Sequence, residues 1–455
     1  MEDKGLKVCL MNDSFPPLID GVANAVINYA TVISNGIGKA TVVTPENPDA
    51  EADDYPFSVV RYKSMPITEK LCGYRAGYPF SSSKLQTLEK SGFDIIHSHC
   101  PFASTVMARV LREKTGLPLV LTYHTKFDID IRRALPTKII ADAAIKLVAA
   151  NIAACDEVWT VSKGAGENLR SLGFEGEYVV MENGVDFPCG RADKDDVADL
   201  RTEYGLKDGI PVFIYVGRLL WYKGIKLTLD ALKILSEKGI DYRMMIVGDG
   251  LDREEIEAYV DELNIRDKVI FTGAVYDRED LRVYYTSGDL FIFPSLYDTN
   301  GIVVREAAAC GVGSLLIEGS CAAEGITHGR TGILTKDDPV AIAAELEFAA
   351  SHLNEVCQIG QRAMEEVYIS WETSVKRACD RYMTVIENVK SGGSHRKEGF
   401  MSEDFFLMMS GMTNTVQRFR SIPVNIRRKG RRFGRKLRHL SHEFEWNKDH
   451  NKKND

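Results

Sequence analysis

Apolar segments of strand length recur along this chain, and each is followed by a segment with helical spacing. They are continuously apolar rather than alternating, as in ATVVTP at 40–45 and VFIYVGR at 212–218. Continuous apolarity indicates strands that are buried on both faces, which is typical of a parallel sheet covered by helices on both sides. The pattern therefore predicts an α/β fold with doubly wound parallel sheets.

The pattern occurs twice, which predicts two domains. The first series of strand-like segments runs from KVCLMN at 7–12 to YVVMENG at 178–184, and the second ends with GSLLIE at 313–318. A chain of 455 residues is long enough for two such domains. The polar, acid-rich segment GRADKDDVADLRTEYGLKDG between the two series is interpreted as the connector.

We expect an N-terminal Rossmann-like domain at 1–190 and a C-terminal Rossmann-like domain at 191–375. A closing helix at 376–390 is expected to pack back towards the N-terminal domain, and a tail follows at 391–455. Folds of this kind bind ligands at the carboxyl ends of their strands. The site is therefore expected in a cleft where those ends of the two sheets face each other.

Two carboxylates flank a glycine in the segment SLYDTNGIVVREAAACG. Gly301 opens a predicted helix, so the N–H groups near Asn300, Gly301 and Ile302 are expected to lack partners and to face a phosphate. Glu306 suits the two neighbouring hydroxyls of a ribose, and Asp298 suits a second polyol, so the segment describes a site for a nucleotide sugar. The alternative is that Asp298 caps the helix and that Glu306 is a surface acid.

Two cations lie in the loop after the first strand of the second domain. The segment GRLLWYKG contains Arg218 and Lys223, which follow the predicted carboxyl end of that strand. Two cations in that place can neutralise a diphosphate leaving group. An exposed Arg or Lys is otherwise a solvated charge, and the position of this pair favours the functional interpretation.

Five segments occur in an order that resembles family 4 of the retaining GT-B glycosyltransferases. They are GRLLWYKG, VGDG, FTGAV, FPSLYDTNGIVVREAAACG and GRTGIL, and the resemblance covers residues 6–390. It implies a GT-B fold in which the N-terminal domain holds the acceptor and the C-terminal domain holds the donor. The segments CGYRAGYPF, HSHCPF and TYHTKF are most similar to the branch that contains phosphatidylinositol mannosyltransferases and diacylglycerol glucosyltransferases.

The resemblance implies roles for residues of the donor site. Glu306 matches the family's carboxylate on the ribose, and Asp298 matches the carboxylate near the transferred sugar, which is usually Glu. Asn300 stands where the family commonly has an aromatic residue. Arg218 and Lys223 are expected to hold the diphosphate. Further donor contacts are expected from Gly301, Ile302 and Val303.

In the first domain, histidines end two of the strand-like segments. His124 matches a family position that contacts the transferred sugar or the departing phosphate oxygen, so its expected role is catalytic, together with Asp298 and Glu306. His99 also matches a family position and is assigned to the acceptor. His97 alternates away from His99 along its strand and is assigned to structure. Gly21 is expected to contact the donor phosphates, although the chain has Asp-Gly where the family often has Gly-Gly.

The acceptor side is predicted from the segment CGYRAGYPF. In the similar branch of the family, the positions that match Tyr74, Arg75 and Tyr78 lie beside the acceptor. Arg75 suits an anionic head group, and its alternative role is to brace a loop. No cofactor and no metal is expected, because the D-x-D segment at 128–130 lies in the wrong domain for a metal-dependent sugar transferase.

The tail combines apolar residues at helical spacing, Met401, Phe405, Met408 and Met412, with a basic run. Between 418 and 438 it holds ten Lys or Arg and no acid, in a chain whose formal net charge is −8. This combination is typical of a peripheral protein on anionic lipid. Nucleic acid and an acidic protein are the other partners for such a run. A membrane is preferred, because the aromatic residues precede the basic run instead of interleaving with it.

We therefore predict a hexosyltransferase that uses a nucleoside diphosphate sugar, UDP-glucose or GDP-mannose, and a lipid or lipid-linked acceptor. The N-terminus has no signal-peptide pattern and no apolar run is long enough to span a bilayer. The expected location is the cytoplasm, with peripheral attachment to the inner face of the plasma membrane. The alternatives are a soluble or polysaccharide-precursor acceptor, a sugar-nucleotide epimerase of the same fold, and a non-catalytic scaffold.

Overall fold

The computed structural model describes residues 5–393, apart from 19, 52, 67–74 and 136. The predicted tail therefore lies almost entirely outside the described residues. None of the described helices has both the length and the apolarity to span a membrane.

The N-terminal domain is a parallel sheet with helices on both faces. Its strands are β1 (Leu6–Met11), β2 (Gly38–Pro45), β3 (Ser58–Tyr62), β6 (Ile95–Ser98), β7 (Leu119–Tyr123), β8 (Glu157–Thr160) and β9 (Val179–Val180). A separate antiparallel pair is formed by β4 (Ser64–Pro66) and β5 (Arg75–Gly77). The helices are α1 (Gly21–Val32), α2 (Ser82–Glu89), α3 (Ala103–Thr115), α4 (Phe127–Ala134), α5 (Lys138–Ala153) and α6 (Lys163–Ser171). The order within the sheet is β3-β2-β1-β6-β7-β8-β9.

The C-terminal domain repeats this plan. Its strands are β10 (Val212–Val216), β11 (Arg243–Val247), β12 (Val269–Gly273), β13 (Leu290–Ile292), β14 (Gly313–Ile317) and β15 (Ile333–Thr335). They pair in parallel in the order β12-β11-β10-β13-β14-β15. The helices are α7 (Lys194–Glu203), α8 (Ile225–Glu237), α9 (Arg253–Glu262), α10 (Arg278–Ser287), α11 (Ile302–Ala309), α12 (Pro339–Ser351) and α13 (Leu353–Glu366), and α14 (Trp371–Lys390) follows them.

The two doubly wound sheets are as predicted, and the burial of their central strands explains why. Every residue of β7, β10 and β14 is buried, so none of these strands has a solvent face that would need polar side chains. Apolar clusters cover both faces of the N-terminal sheet. One cluster includes side chains of α2, α3, α5 and α6, and the other includes side chains of α1 and α14.

The segment that was interpreted as the connector belongs instead to the C-terminal domain. It contains α7, which packs against α10, and Arg201 donates to the carbonyl of Ser287 at 2.8 Å. The chain crosses between domains earlier, near Val185, whose N–H donates to the carbonyl of Ile369 at 3.0 Å. The outgoing and returning strands of this crossover therefore lie side by side.

Helix α14 returns across the crossover and packs on the N-terminal domain. It begins at Trp371, which is before the predicted start of the closing helix. Tyr382 stacks on Trp159 with 5.3 Å between ring centroids, and its hydroxyl lies 2.5 Å from His97 Nδ1. Arg381 forms a bidentate ion pair with Glu157 at 2.6 and 2.8 Å. The last helix thus covers the face of the sheet on which α1 lies.

Candidate active site

The loop before α11 is held in a tight turn. Gly301 has a φ of 57°, in the left-handed region, and a Cβ there would lie 2.9 Å from the Cα of Ala322. A side chain would therefore collide with the neighbouring backbone. One carboxylate oxygen of Asp298 accepts the N–H of Asn300 at 3.2 Å and that of Gly301 at 2.8 Å. These contacts fix the point at which α11 begins.

The same hydrogen bonds correct one expectation. The N–H groups of Asn300 and Gly301 are not free for a phosphate, because Asp298 folds back over the turn and accepts both. The N–H groups of Ile302 and Val303 have no acceptor within the described residues. They are the donors that this helix start leaves for an anion.

The second oxygen of Asp298 forms an ion pair with Lys223. The distance from Lys223 Nζ to Asp298 Oδ2 is 2.7 Å, and both side chains are largely buried. Burial alone would raise the pKa of the Asp298 carboxyl, but the Lys223 charge and the hydrogen bonds outweigh burial and lower this pKa below its ordinary value. Asp298 therefore stays ionised at neutral pH and holds the loop after β13 to the loop after β10.

Arg218 lies in the loop after β10 and is exposed. The loop is fixed by its backbone, because the N–H of Gly217 donates to Val247 and the N–H of Leu219 donates to Asp249, both at 3.0 Å. Across the described ranges, the Arg218 guanidinium has no acid within ion-pair distance. A fixed loop thus presents an unpaired cation on the same sheet edge as Lys223.

Glu306 is buried and is not a surface acid. One of its carboxylate oxygens accepts from the Tyr285 hydroxyl at 2.9 Å, and the other accepts from Arg278 at 2.7 Å. The Arg278 guanidinium also lies 4.2 Å from the ring centroid of Phe187. Arg278 and Tyr285 were not predicted, because they lie on α10 and only the fold brings them to Glu306.

Helix α11 is tied at two points to the crossover between the domains. Arg278, which holds Glu306, lies 3.7 Å from Asp186. Arg305, the neighbour of Glu306, donates to Glu182 at 2.5 Å. The predicted ribose carboxylate is therefore linked through these contacts to the segment where the chain crosses between the two domains.

Three histidines form a buried row on the N-terminal wall. His99 Nδ1 lies 2.9 Å from His124 Nε2, and their rings stack with 5.2 Å between centroids. His97 is held by Tyr382 and by Thr122, whose hydroxyl lies 2.7 Å from His97 Nε2. These bonds give His97 a structural role, but the expectation that it alternates away from His99 was wrong, because residues two apart on a strand share a face and their ring centroids lie 3.9 Å apart. His99 is buried beside His124, and its role towards an acceptor stays a prediction.

Burial sets the charge of this row. It lowers the pKa of His97 and of His99 well below the usual range, with further lowering from the neighbouring histidines. Burial also lowers the pKa of His124 to about 4, although the charge of Asp20 opposes the shift. All three imidazoles are therefore neutral at pH 7, so His124 can offer a hydrogen bond but no positive charge.

Thr299 joins the two walls of the site. Its hydroxyl donates to the carbonyl of His124 at 2.7 Å, and its own carbonyl accepts from the Ser162 hydroxyl at 2.5 Å. Because Thr299 is adjacent to Asp298, these bonds bring His124 of the first domain to the loop that holds Asp298 and Lys223. Thr299 was not predicted, since no motif of the sequence singles it out.

Gly21 begins α1 at the same edge of the first sheet. The preceding Asp20 accepts the N–H groups of Val22 and Ala23 at 2.9 and 2.7 Å, and its charge acts on His124. A Cβ at Gly21 would meet no atom within 4 Å. Gly21 therefore borders open space near His124, and the donor contact predicted for it remains sterically possible.

The predicted acceptor residues lie at the antiparallel pair of β4 and β5. Tyr74 is outside the described residues. Arg75 Nε donates to the Ser64 hydroxyl at 2.7 Å and to the carbonyl of Glu46 at 3.0 Å. Arg75 thus braces this loop, and its contact with a head group stays a prediction, as does that of the partly buried Tyr78.

The D-x-D segment lies in α4 of the N-terminal domain. Within the ranges that the structure describes, no group of three or more His, Cys, Asp and Glu side chains is arranged to hold a metal ion. That the reaction needs no metal stays a prediction.

Models of two glycosyltransferase domains match the two halves of the chain. The model for glycosyltransferase family 4 matches residues 19–187, and the model for glycosyl transferases group 1 matches residues 196–364. Both matches coincide with the two parallel-sheet domains. This chain is a GT-B glycosyltransferase of family 4.

Relatives of this glycosyltransferase are similar over most of their length. An alpha-monoglucosyldiacylglycerol synthase of Streptococcus pneumoniae is 23% identical over 67% of this chain and 70% of its own length. A GDP-mannose-dependent alpha-mannosyltransferase of Corynebacterium glutamicum is 25% identical over 84% of this chain and 89% of its own. The Anabaena protein HepE, solved in complex with UDP, superposes with a TM-score of 0.67 at 19% identity, over 83% of this chain and all of HepE.

The buried histidines predict that the glycosyltransferase loses stability in mild acid. The unfolded chain takes up protons near the ordinary histidine value of 6.5, whereas the folded chain takes them up only at lower pH. The contribution of these histidines to the free energy of unfolding is therefore complete above about pH 6.5. It decreases as the pH falls, by at most about 1.4 kcal/mol per pH unit for each histidine. Urea denaturation between about pH 7 and pH 5, followed by tryptophan fluorescence, measures this slope.

A histidine variant tests the assignment. His99→Asn should give a shallower slope than the wild type, because one of the late-protonating groups is gone. His352→Asn, at the exposed end of α12, is the matched control and should leave the slope unchanged. Equal slopes for His99→Asn and the wild type would contradict the account.

Proposed function

We propose that this glycosyltransferase transfers a hexose from a nucleoside diphosphate sugar to a lipid or lipid-linked acceptor, with retention of anomeric configuration. The observation that carries the proposal is the start of α11, where Lys223, the paired Asp298 and two unpaired N–H groups come together. The side-chain amide of Asn300 has a buried oxygen and a buried nitrogen with no partner in the described chain. Hydroxyls of a bound sugar would satisfy both atoms.

The donor diphosphate is held by cations and by the helix start. Arg218 supplies an unpaired guanidinium, and Lys223 shares its ammonium between Asp298 and a phosphate oxygen. The free N–H groups of Ile302 and Val303 add hydrogen bonds at the positive end of the helix. These groups stabilise the negative charge that grows on the diphosphate as the sugar departs. We therefore expect transfer without a metal cofactor.

The nucleoside is held by Glu306. Its carboxylate already accepts from Arg278 and Tyr285, and an ionised carboxylate has further lone pairs for two ribose hydroxyls. The two protein donors fix the orientation of this carboxylate before the donor arrives. Such preorganisation lowers the entropy that binding would otherwise cost.

The transferred sugar lies between Asp298 and His124 in this proposal. Three donors already use part of the capacity of Asp298, and the remaining lone pairs suit a sugar hydroxyl. The Nε2 atom of His124 is engaged by His99, so its Nδ1 atom is the one available to the sugar or to the phosphate oxygen. A neutral imidazole in this place donates or accepts a hydrogen bond without adding charge.

Retention is proposed from the resemblance to the retaining GT-B family, and the pairing of both candidate carboxylates supports a front-face route rather than a covalent intermediate. Asp298 is paired with Lys223 and Glu306 with Arg278, and neither is free to act as an acid or as a nucleophile. In a front-face transfer the bond between the anomeric carbon and the phosphate oxygen breaks. The acceptor oxygen then bonds to that carbon from the same side, and its proton passes to the departing diphosphate. The protein contributes placement and charge stabilisation.

The acceptor class is supported by the relatives and by the chain itself. One relative is named for the synthesis of a glucosylated diacylglycerol. Arg75 retains guanidinium donors beyond the Nε atom that braces its loop, and these suit an anionic head group. The basic tail suits attachment to an anionic membrane at its cytosolic face.

A screen of donors and acceptors tests the proposed reaction. The full-length protein is incubated with UDP-glucose or GDP-mannose and with lipid extracts, in the presence of EDTA. We expect mass spectrometry to detect a glycolipid product. NMR of this product should show the same anomeric configuration as the sugar has in the donor, because the proposed transfer retains it. An isomerised sugar formed without acceptor would favour an epimerase, and binding of no donor by calorimetry would favour a scaffold.

A single substitution tests the donor site. Lys223→Met keeps the length of the side chain but removes the charge, and it should lower kcat/KM for the donor by about 100-fold or more, because the diphosphate loses its buried cation. Lys226→Met, on the exposed surface of α8, is the matched control and should retain activity within about twofold. Full activity of Lys223→Met would exclude the proposed site.

A further inference from the structure

Helix α5 is apolar on its solvent face as well as on its buried face. Ile145, Val148 and Ile152 pack into the core of the N-terminal domain. On the opposite side, Ile139 is 82% exposed and Leu147 is 43% exposed. A helix that is apolar all round is normally buried on all sides. The exposed face of α5 is therefore an exception that requires a partner of its own.

The exposed apolar residues form one continuous strip. Ile139, Ile140, Ala143 and Leu147 follow one another at helical spacing, and Ile140 is 49% exposed. The strip continues onto Phe102 across a groove between α3 and α5 that Val106 also lines. We call this set of residues the α5 strip.

Cations flank the α5 strip. Lys138 and Lys146 lie on α5 and are exposed, and within the described chain neither has an acid at ion-pair distance. Asp142 is the acid on the exposed part of this helix, and it is paired with Arg132 at 2.6 Å. An apolar strip with unpaired lysines beside it has the composition of a surface that rests on anionic lipid.

The α5 strip lies at the rim of the active-site cleft. Phe102 follows β6 three residues after His99, and its ring contacts Phe127 with 6.2 Å between centroids. Phe127 begins α4, three residues after His124. A lipid in contact with the strip would therefore have its head group close to the histidine wall of the cleft.

We propose that the α5 strip is a membrane-docking surface that rests on an anionic lipid bilayer. The proposal rests on the proposed lipid acceptor and names the surface through which that acceptor is reached. The observations that carry it are on α3, α4 and α5, and none of them involves the basic tail.

Vesicle binding of the full-length chain tests the proposal. The variant Ile139→Glu/Leu147→Glu is compared with the wild type by co-sedimentation with vesicles of phosphatidylcholine and phosphatidylglycerol. The partition coefficient should fall by about tenfold or more, because two carboxylates replace side chains that enter the lipid interface. Vesicles of phosphatidylcholine alone should bind the wild type more weakly, because the lysines then lack an anionic partner.

The chain offers a closely matched control. The control variant is Val340→Glu/Phe348→Glu, on α12 of the other domain. Like the test variant, it introduces two carboxylates eight positions apart, and the first of them lies in the first turn of its helix. Val340 and Phe348 are 63% and 38% exposed, close to the residues they match. Since both variants keep the tail and change the charge equally, only the loss of the strip distinguishes them. The control should bind vesicles within about twofold of the wild type.

The outcomes separate this proposal from its competitors and from the proposed function. Equal binding of the two variants would overturn the proposal. A second result would also overturn it: the wild type forms a dimer in sedimentation velocity, while the strip variant is monomeric and still binds vesicles normally. The α5 strip would then be an interface between two copies of this chain. If the Glu variant unfolds by circular dichroism, Ile139→Ser/Leu147→Ser replaces it, with Val340→Ser/Phe348→Ser as control. The vesicle assay requires neither a sugar donor nor sugar transfer. Its result can therefore be interpreted even if the protein is inactive with every sugar donor.

Discussion

The proposed donor site depends on one carboxylate. Asp298 accepts Lys223 on one oxygen and two N–H groups of its own loop on the other, so it positions a cation and a helix start together. Gly301 makes this possible, since the turn needs a left-handed residue and leaves no space for a side chain. Because the carboxylate stays ionised, Lys223 is held in place before any phosphate binds. In the proposed site, the helix dipole, the free N–H groups and the cations would then act on the same anion.

The first domain contacts this loop through Thr299. The Thr299 hydroxyl donates to the carbonyl of His124, and the Thr299 carbonyl accepts from the Ser162 hydroxyl. Tyr382 of α14 anchors the histidine row through His97, so the last helix of the described residues also supports this wall of the cleft. On the other side, Arg278 and Arg305 link α11 to acids of the crossover. The surroundings of Glu306 therefore include the segment where the chain crosses between the domains.

Sequence reasoning succeeded where local pattern determines structure. Central strands are continuously apolar because both faces are buried, whereas β3 and β15 are edge strands that are less completely buried and were not foreseen. The segment that contains α7 was mistaken for a connector because the helix buries only Leu200 and is otherwise mostly polar. The partners of Glu306 lie 21 and 28 residues away on another helix, and no local pattern could reveal them. Likewise, the hydrogen bonds from the N–H groups of Asn300 and Gly301 to Asp298 depend on the rotamer of Asp298, which the sequence alone does not specify.

The central claim is that the start of α11 and the two cations bind a nucleoside diphosphate. Calorimetric titration of UDP and of GDP into the metal-free, full-length protein tests it most directly, since this measurement requires neither the sugar nor the acceptor to be known. The account predicts that one of them binds, and that Arg218→Met weakens binding by about tenfold or more because an unpaired cation is lost. Binding that needs a divalent metal, or that is indifferent to Arg218, would contradict it.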